Sequence, residues 1–311
     1  MQILVVGAGA IGGYFGGRLL QAHRDVTFLV RERRTAQLRS SGLTIRSVKG
    51  DFHDPAPPTV STGDLRQAYD LILLSCKAYD LNEAIESFAP AVGPRTAILP
   101  LLNGLRHLDV LEARFGRDVV LGGQCVISAA LNAEGAVLHL NDSHSLTFGD
   151  RSGEQTERAR AILSEFAGAQ FQARLSDSIL LEMWEKWVFI AAAAGITCLM
   201  RSAIGDVIAA GGAGLAAALL DECAAIASNA GYAPRAKPMQ RSRAALCLAG
   251  SPMMASMLRD IERGSRTEVE QILGDLLRRQ EPGADSASLL RLAHIHVTAY
   301  EARRTRESSE K

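Results

Sequence analysis

Residues 2–20 read QILVVGAGAIGGYFGGRLL. Five residues of strand character, QILVV, run straight into G-x-G-x-x-G, with Gly7, Gly9 and Gly12 at its fixed positions, and the chain then continues as a helix. Each glycine has a separate physical task. Gly7 permits a tight turn, Gly9 lets a diphosphate come close to the backbone, and Gly12 allows the helix to lie against the strand. The helix N-terminus offers free N–H groups and the positive end of its dipole to phosphate oxygens. A bare glycine triplet carries little information, but one between a strand and a helix predicts a dinucleotide site on Gly7, Ala8, Gly9, Ala10, Ile11 and Gly12.

Working outward, DVTFLV (25–30), DLILLS (70–75) and TAILPLL (96–102) read as further strands. Helical stretches near 11–23, 81–89 and 105–115 separate them, which predicts a parallel sheet covered on both faces. VVLGGQCVISAAL, GAVLHL and SLTFGD, within about residues 119–149, read as strands joined by turns. Their links are too short for crossover helices, so they are expected to extend that sheet with antiparallel pairs. A helix at 154–167 and a strand near 170–175 close this half.

Beyond Ser176 strand signals vanish. Segments 177–200, 212–230, 235–248, 252–263, 267–280 and 285–303 read as helices, several with apolar residues at i, i+3, i+4 and i+7. The expected organisation is a Rossmann-type α/β domain over 1–176 and an all-α domain over 177–311, joined rigidly with a cleft between them. The terminal EARRTRESSEK reads as a helix end fraying into solvent. The alanine-rich stretch 212–230 is expected to pack within its own domain, with a homodimer as the other outcome.

Composition narrows the partners. The 311 residues are 47% hydrophobic and 22% charged, ordinary for a globular protein. Lys plus Arg and Asp plus Glu both number 34, so nothing points to nucleic acid or an anionic membrane. The uncharged run 187–200 is shorter than the roughly 18 residues that span a bilayer. Five cysteines, scattered singly without C-x-x-C spacing, argue against a zinc site and for a reducing cytoplasm. MQILVV runs straight into the glycines with no basic leader or cleavage site, so no signal peptide is expected.

Three positions raise chemistry of their own. The second strand ends in FLVRERR, with Arg31 where an NAD-preferring site would carry Asp or Glu. A guanidinium there suits a 2′-phosphate and predicts NADPH, although Glu32 could blur the preference and Arg33 and Arg34 read as a solvated helix start. Ligands bind beyond the carboxyl ends of parallel strands, so Lys77 and Asn103 are expected to face one crevice beside the cofactor or to be ordinary loop residues. In WEKW, Lys186 stands between Trp184 and Trp187 at the entrance to an apolar helix. Either its stem covers apolar surface, or its amine is desolvated, with a pKa lowered from about 10.4 and a proton ready to give.

Taken together, GAGAIGG, Arg31, CKAYD with Lys77, LLNG with Asn103, WEKW with Lys186, and SMLRDIERGSRTEVE with Ser256 and Glu268 resemble the ketopantoate reductases along essentially the whole chain. The resemblance implies a Rossmann-type domain followed by a helical domain like the C-terminal one of 6-phosphogluconate dehydrogenase. It implies NADPH-dependent reduction of a 2-keto acid, ketopantoate to pantoate, on the way to coenzyme A. The lysine matching Lys186 is that family's general acid, and the glutamate matching Glu268 sits near the substrate hydroxyl and the cofactor. The serine matching Ser256 holds the substrate carboxylate. The residues matching Asn103 and Lys77 line the cofactor–substrate cleft. Four and eight residues after its lysine the family usually carries asparagines, where this chain has Ile190 and Ala194. Thr197 on the same stripe is expected to pack. The departure points to a more apolar 2-keto acid as an alternative substrate. Two further readings stand beside it: an NADPH-responsive protein without turnover, and a dehydrogenase of the β-hydroxyacid type.

Overall fold

A computed structural model of the chain describes residues 1–280 and 288–309. The chain divides into two compact units: Met1–Leu102 with His107–Ile179, and Asn103–Arg106 with the chain from Leu180 onward.

The strands of the first unit are β1 (Gln2–Val6), β2 (Asp25–Leu29), β3 (Leu43–Arg46), β4 (Phe52–Asp54), β5 (Thr59–Val60), β6 (Leu71–Leu74), β7 (Ala97–Pro100), β8 (Gly122–Leu131), β9 (Val137–Gly149) and β10 (Gln172–Leu175). Five of them form a parallel sheet in the order β5-β2-β1-β6-β7. With both faces covered, strands such as LILL at β6 are apolar at every position rather than alternating. This is the Rossmann-type arrangement, with β1 central and the reversal of strand order falling between β1 and β6.

The segment 119–149 does not extend that sheet as antiparallel pairs. Val120 makes a single parallel bridge to Ile98, and β8 then pairs with β9 in a second sheet of order β10-β9-β3-β4. GAVLHL and SLTFGD turn out to be one strand. The residues between them bulge where the register steps from Ile127↔His144 to Ala129↔His139. The Asn141 side chain replaces a lost ladder bond by accepting from Ser128 N at 2.9 Å.

The helix Ala10–Gln21 packs against strands of both sheets, and eight successive residues from Gly12 to Leu19 are buried. That explains GGYFGG. A Cβ on Gly16 would come within 2.6 Å of Phe28 in the first sheet, and one on Gly17 within 2.7 Å of Ile45 in the second. Between these glycines Tyr14 and Phe15 fill the core, where Phe15 meets Phe171 edge-to-face at 5.0 Å.

The second unit is helical in its described residues. Its longest helix, Ile179–Met200, is closely approached at Gly195, where an added Cβ would meet Leu219 at 2.7 Å and Ala293 at 3.4 Å. Ala213–Asn229 packs within the unit, against Ala236–Leu246 and Leu289–Ser309. The stretch 267–280 is not a plain helix: Glu270–Gly274 is a π-helical turn, followed by Asp275–Arg278. A short helix, Ile204–Ala209, carries no clear periodic signal in the sequence. The expected helix 285–303 begins at Leu289, its first three positions lying outside the described residues, and instead of fraying it runs to Ser309. No helix among the described residues is long and apolar enough to cross a membrane.

Candidate active site

In the first unit the chemistry gathers at the glycine loop. Gly7 holds a φ of +93°, a region L-residues rarely occupy. At Gly12 an added Cβ would fall 2.0 Å from the Gly7 carbonyl oxygen, so no side chain fits. Gly9, the residue before the helix, is the opposite case, because a Cβ there would meet nothing within 4 Å. Neither a side-chain cap nor an acidic residue occupies the first turn of Ala10–Gln21. The loop is therefore an open backbone cradle with a helix N-terminus behind it, which fits the diphosphate of a nicotinamide dinucleotide. Ala8, Ala10 and Ile11 complete its backbone, and Ser75 at the end of β6 fixes it by donating to the carbonyls of Val6 (3.0 Å) and Gly7 (3.1 Å).

The arginines after β2 behave differently from one another. Arg31 is exposed and lies against Glu83 in two bonds of 3.1 and 2.7 Å, with Asp80 at 3.3 Å. Arg34 corrects the expectation of a solvated helix start. It is partly buried, and its Nε donates to the Ala8 carbonyl at 3.0 Å while Nη1 donates to Gly135 O at 3.0 Å and Gln37 Oε1 at 2.6 Å. Burial pushes its guanidinium pKa down. Arg34 thus anchors the glycine loop to the β8–β9 hairpin. Lys77 is exposed and directly precedes the 3₁₀ turn Ala78–Asp80.

The second unit holds a cavity of about 160 Å³. Asn103, Ser256, Asp260 and Glu268 supply its polar lining. Phe189, Ile190, Ala193 and Ala194 line it from the helix Ile179–Met200, and Met253, Met254, Met257 and Ile272 complete the apolar wall with Ala255. Three residues singled out from sequence, Asn103, Ser256 and Glu268, are thus brought together. Local bonds explain how. Gln271 Nε2 donates to the Asn103 carbonyl at 2.8 Å, next to Gly104 at φ +75°. Ile204 and Gly205 donate their amides to the carbonyls of Met253 (3.0 Å) and Ser251 (2.8 Å), fixing the segment that leads into the helix Ser256–Glu262. The Glu268 carbonyl accepts from the amides of Gln271 (3.1 Å) and Ile272 (3.0 Å) at the entrance to the π turn.

Lys186 is half-buried and stands one turn before Ile190 on the same helix, about 6 Å along its axis. Lys186 and Glu268 each have interaction partners. The indoles flanking the lysine have further contacts. Trp184 stacks on Tyr232 at 5.4 Å, and Arg279 lies over both rings at 5.7 and 5.5 Å. Trp187 donates its Nε1 proton to Ile272 O at 2.9 Å. Thr197 packs as expected, fully buried, with its hydroxyl donating to Ala193 O at 2.6 Å.

Sequence reasoning passed over Asp260 and Gln271. Asp260 lies four residues after Ser256, the spacing that places two side chains on one helix face, and that signal was available. Gln271 carried none, because its register depends on the π turn.

Comparison with known proteins follows the same division. The family model described as "Ketopantoate reductase PanE/ApbA" matches residues 3–153, and its C-terminal counterpart matches residues 178–286. An oxidoreductase of Bacillus subtilis named "Uncharacterized oxidoreductase YkpB" is 37% identical over 303 residues, covering 97% of this chain and 99% of the relative. The 2-dehydropantoate 2-reductase of Mesorhizobium japonicum is 26% identical across 93% of this chain and 96% of its own. The crystal structure of 2-dehydropantoate 2-reductase from Methylococcus capsulatus superposes with a TM-score of 0.86, at 25% identity and 98% coverage of both chains.

Proposed function

The chain belongs to the ketopantoate reductase family and is an oxidoreductase, and from that premise we propose that it reduces a 2-keto acid to the 2-hydroxy acid with NADPH. Residues 1–176 serve the dinucleotide and residues 177–311 the keto acid. Ketopantoate, the substrate named in curated relatives, is the reference against which other 2-keto acids are compared. The enzyme works in the cytoplasm. The observation that carries this reading is the convergence of Asn103, Ser256 and Glu268 on one cavity, with Lys186 one turn from its Ile190 wall.

When bound, the reduced nicotinamide supplies a hydride. The chain's own residues do the rest. The amides of the glycine loop, residues 7–12, would hold the diphosphate, Arg31 would meet the 2′-phosphate, and Lys77 would add positive charge at the carboxyl end of β6. Ser256 and Asn103 hold the keto acid by donating to its oxygens. As the carbonyl oxygen gains negative charge, the Lys186 ammonium stabilises it and delivers a proton to it. Glu268 orients the ammonium, and after the transfer the neutral amine takes a proton from solvent before it pairs with the carboxylate again. An ammonium out of bulk water does this better than one in it, because its field is less screened.

The test is oxidation of NADPH, followed at 340 nm, against a panel of 2-keto acids. Turnover with any of them is the expected result. Tight NADPH binding without turnover would instead favour a cofactor-responsive protein, and faster NADP-linked oxidation of 3-hydroxy acids would favour a β-hydroxyacid dehydrogenase.

A further inference from the structure

The cavity's lining bears on which keto acid the second unit accepts, a question that rests on the reading just given. Every side chain that the helix Ile179–Met200 presents to the cavity is hydrocarbon: Phe189, Ile190, Ala193 and Ala194. Three methionines and Ile272 continue that surface. Thr197, the nearest hydroxyl further along this helix, is turned back onto its own backbone at Ala193 and has no proton to spare.

A 2-keto acid brings three oxygens that need partners: two on the carboxylate and one on the carbonyl. Asn103, Ser256 and Lys186 are donors suited to those three oxygens. Asp260 and Glu268, the remaining polar groups, each have interactions of their own, and as carboxylates they can accept from a hydroxyl but donate to no substrate oxygen. An additional hydroxyl turned toward the helix Ile179–Met200 would lie against hydrocarbon and lose its hydrogen bonds to water. The volume sets the size of an occupant. At about 160 Å³ the space is that of an apolar protein cavity able to take up benzene. Flexible methionine side chains let such a wall adjust to branched or ring-shaped groups.

We infer that the substrate is a 2-keto acid whose side chain on the keto carbon is an unhydroxylated hydrocarbon of branched aliphatic or phenyl size, received by the apolar wall that includes Phe189, Ile190 and Met254. The hydroxyl of ketopantoate is then a burden rather than a handle.

A matched pair isolates that one group: ketopantoate and 3,3-dimethyl-2-oxobutanoate share a skeleton and differ by a single hydroxyl. The wild-type enzyme is assayed on both with NADPH, and with NADH in parallel. The panel also includes 4-methyl-2-oxopentanoate and phenylglyoxylate as hydrocarbon substrates and 2-oxoglutarate as a charged one. The expected kcat/KM for 3,3-dimethyl-2-oxobutanoate is about ten- to a hundredfold above that for ketopantoate, the range an apolar pocket gives against an added hydroxyl. In Ile190→Asn, at a half-buried position, the ratio should narrow or reverse, with Tm recorded to confirm folding. Ketopantoate equal to or better than its deoxy partner, or 2-oxoglutarate as the best substrate, overturns the inference while leaving 2-keto acid reduction standing. Failure of every 2-keto acid overturns both. If Ile190→Asn does not fold, the wild-type ratio decides alone.

Discussion

Arg31 and Glu83 form a two-point ion pair, Nε to Oε1 at 3.1 Å and Nη2 to Oε2 at 2.7 Å, on the surface just past β2. The guanidinium proposed to read a 2′-phosphate is therefore already neutralised by carboxylate, with Asp80 as a second one at 3.3 Å. A 2′-phosphate at Arg31 would have to exchange one anion for another. Arg31→Ala should weaken NADPH at least tenfold more than NADH, read as the two dissociation constants by cofactor fluorescence. Glu83→Gln removes the two-point partner and leaves Asp80, and since exposed ion pairs contribute only about 0.2–1 kcal/mol, NADPH should tighten by no more than about fivefold. Equal effects on both cofactors would remove Arg31 from 2′-phosphate recognition.

Arg34 has a different task, and its variant separates from that of Arg31. Its bonds to Ala8 and Gly135 join the glycine loop to the β8–β9 turn. Removing a partly buried charged donor of this kind costs about 2 kcal/mol. Arg34→Ala should lower Tm by several degrees and weaken NADPH and NADH alike. An unchanged Tm would show that these bonds carry no stability.

Trp187 is fully buried and donates to Ile272 O inside the π turn. Trp187→Phe keeps the ring but leaves that carbonyl without its donor, at a cost of about 1–3 kcal/mol. Because Ile272 also lines the cavity, KM for the keto acid should rise more than kcat falls. A variant with wild-type Tm and KM would mean the indole is only a packing group.

The thiols offer a pH-dependent check. Burial pushes Cys198 up to about 12 and Cys223 higher still, while Cys76 and Cys247 are partly accessible. Iodoacetamide at pH 8 should label Cys76 and Cys247 in the native protein and reach Cys198 only on unfolding. Both buried groups have folded pKa values above the unfolded value of about 8.5, so their contribution is intact below that pH. Above it the unfolded chain binds fewer protons, and stability should fall by about 1.4 kcal/mol per thiol per pH unit, for Cys198 until about pH 12. Native labelling of Cys198 at pH 8 would contradict this burial.

The parallel sheet was legible because its strands are continuous apolar runs and its glycine loop allows few alternatives. The second sheet was not. Its strand β3, LTIR, is four residues long and pairs in parallel with Val137 and Leu138, a distant contact that no local pattern announces. The β9 bulge disguised one strand as two, since NDS reads as a turn until Asn141 is seen bonding across the ladder. At the site, Asn103, Ser256 and Glu268 could be named from resemblance, but their meeting depends on Gln271 and a π turn that 3.6-residue periodicity cannot register. Arg34 read as solvent-facing because its neighbours, Ala8 and Gly135, come from different parts of the chain.

The role of Lys186 is tested most directly by single-turnover reduction of the best 2-keto acid in Lys186→Ala, at saturating NADPH and with Tm and NADPH affinity verified. Loss of a general acid should slow that chemical step at least about a hundredfold while cofactor binding is retained. A rate within threefold of wild type would mean that another group protonates the alkoxide, and the mechanism built on this lysine would be wrong.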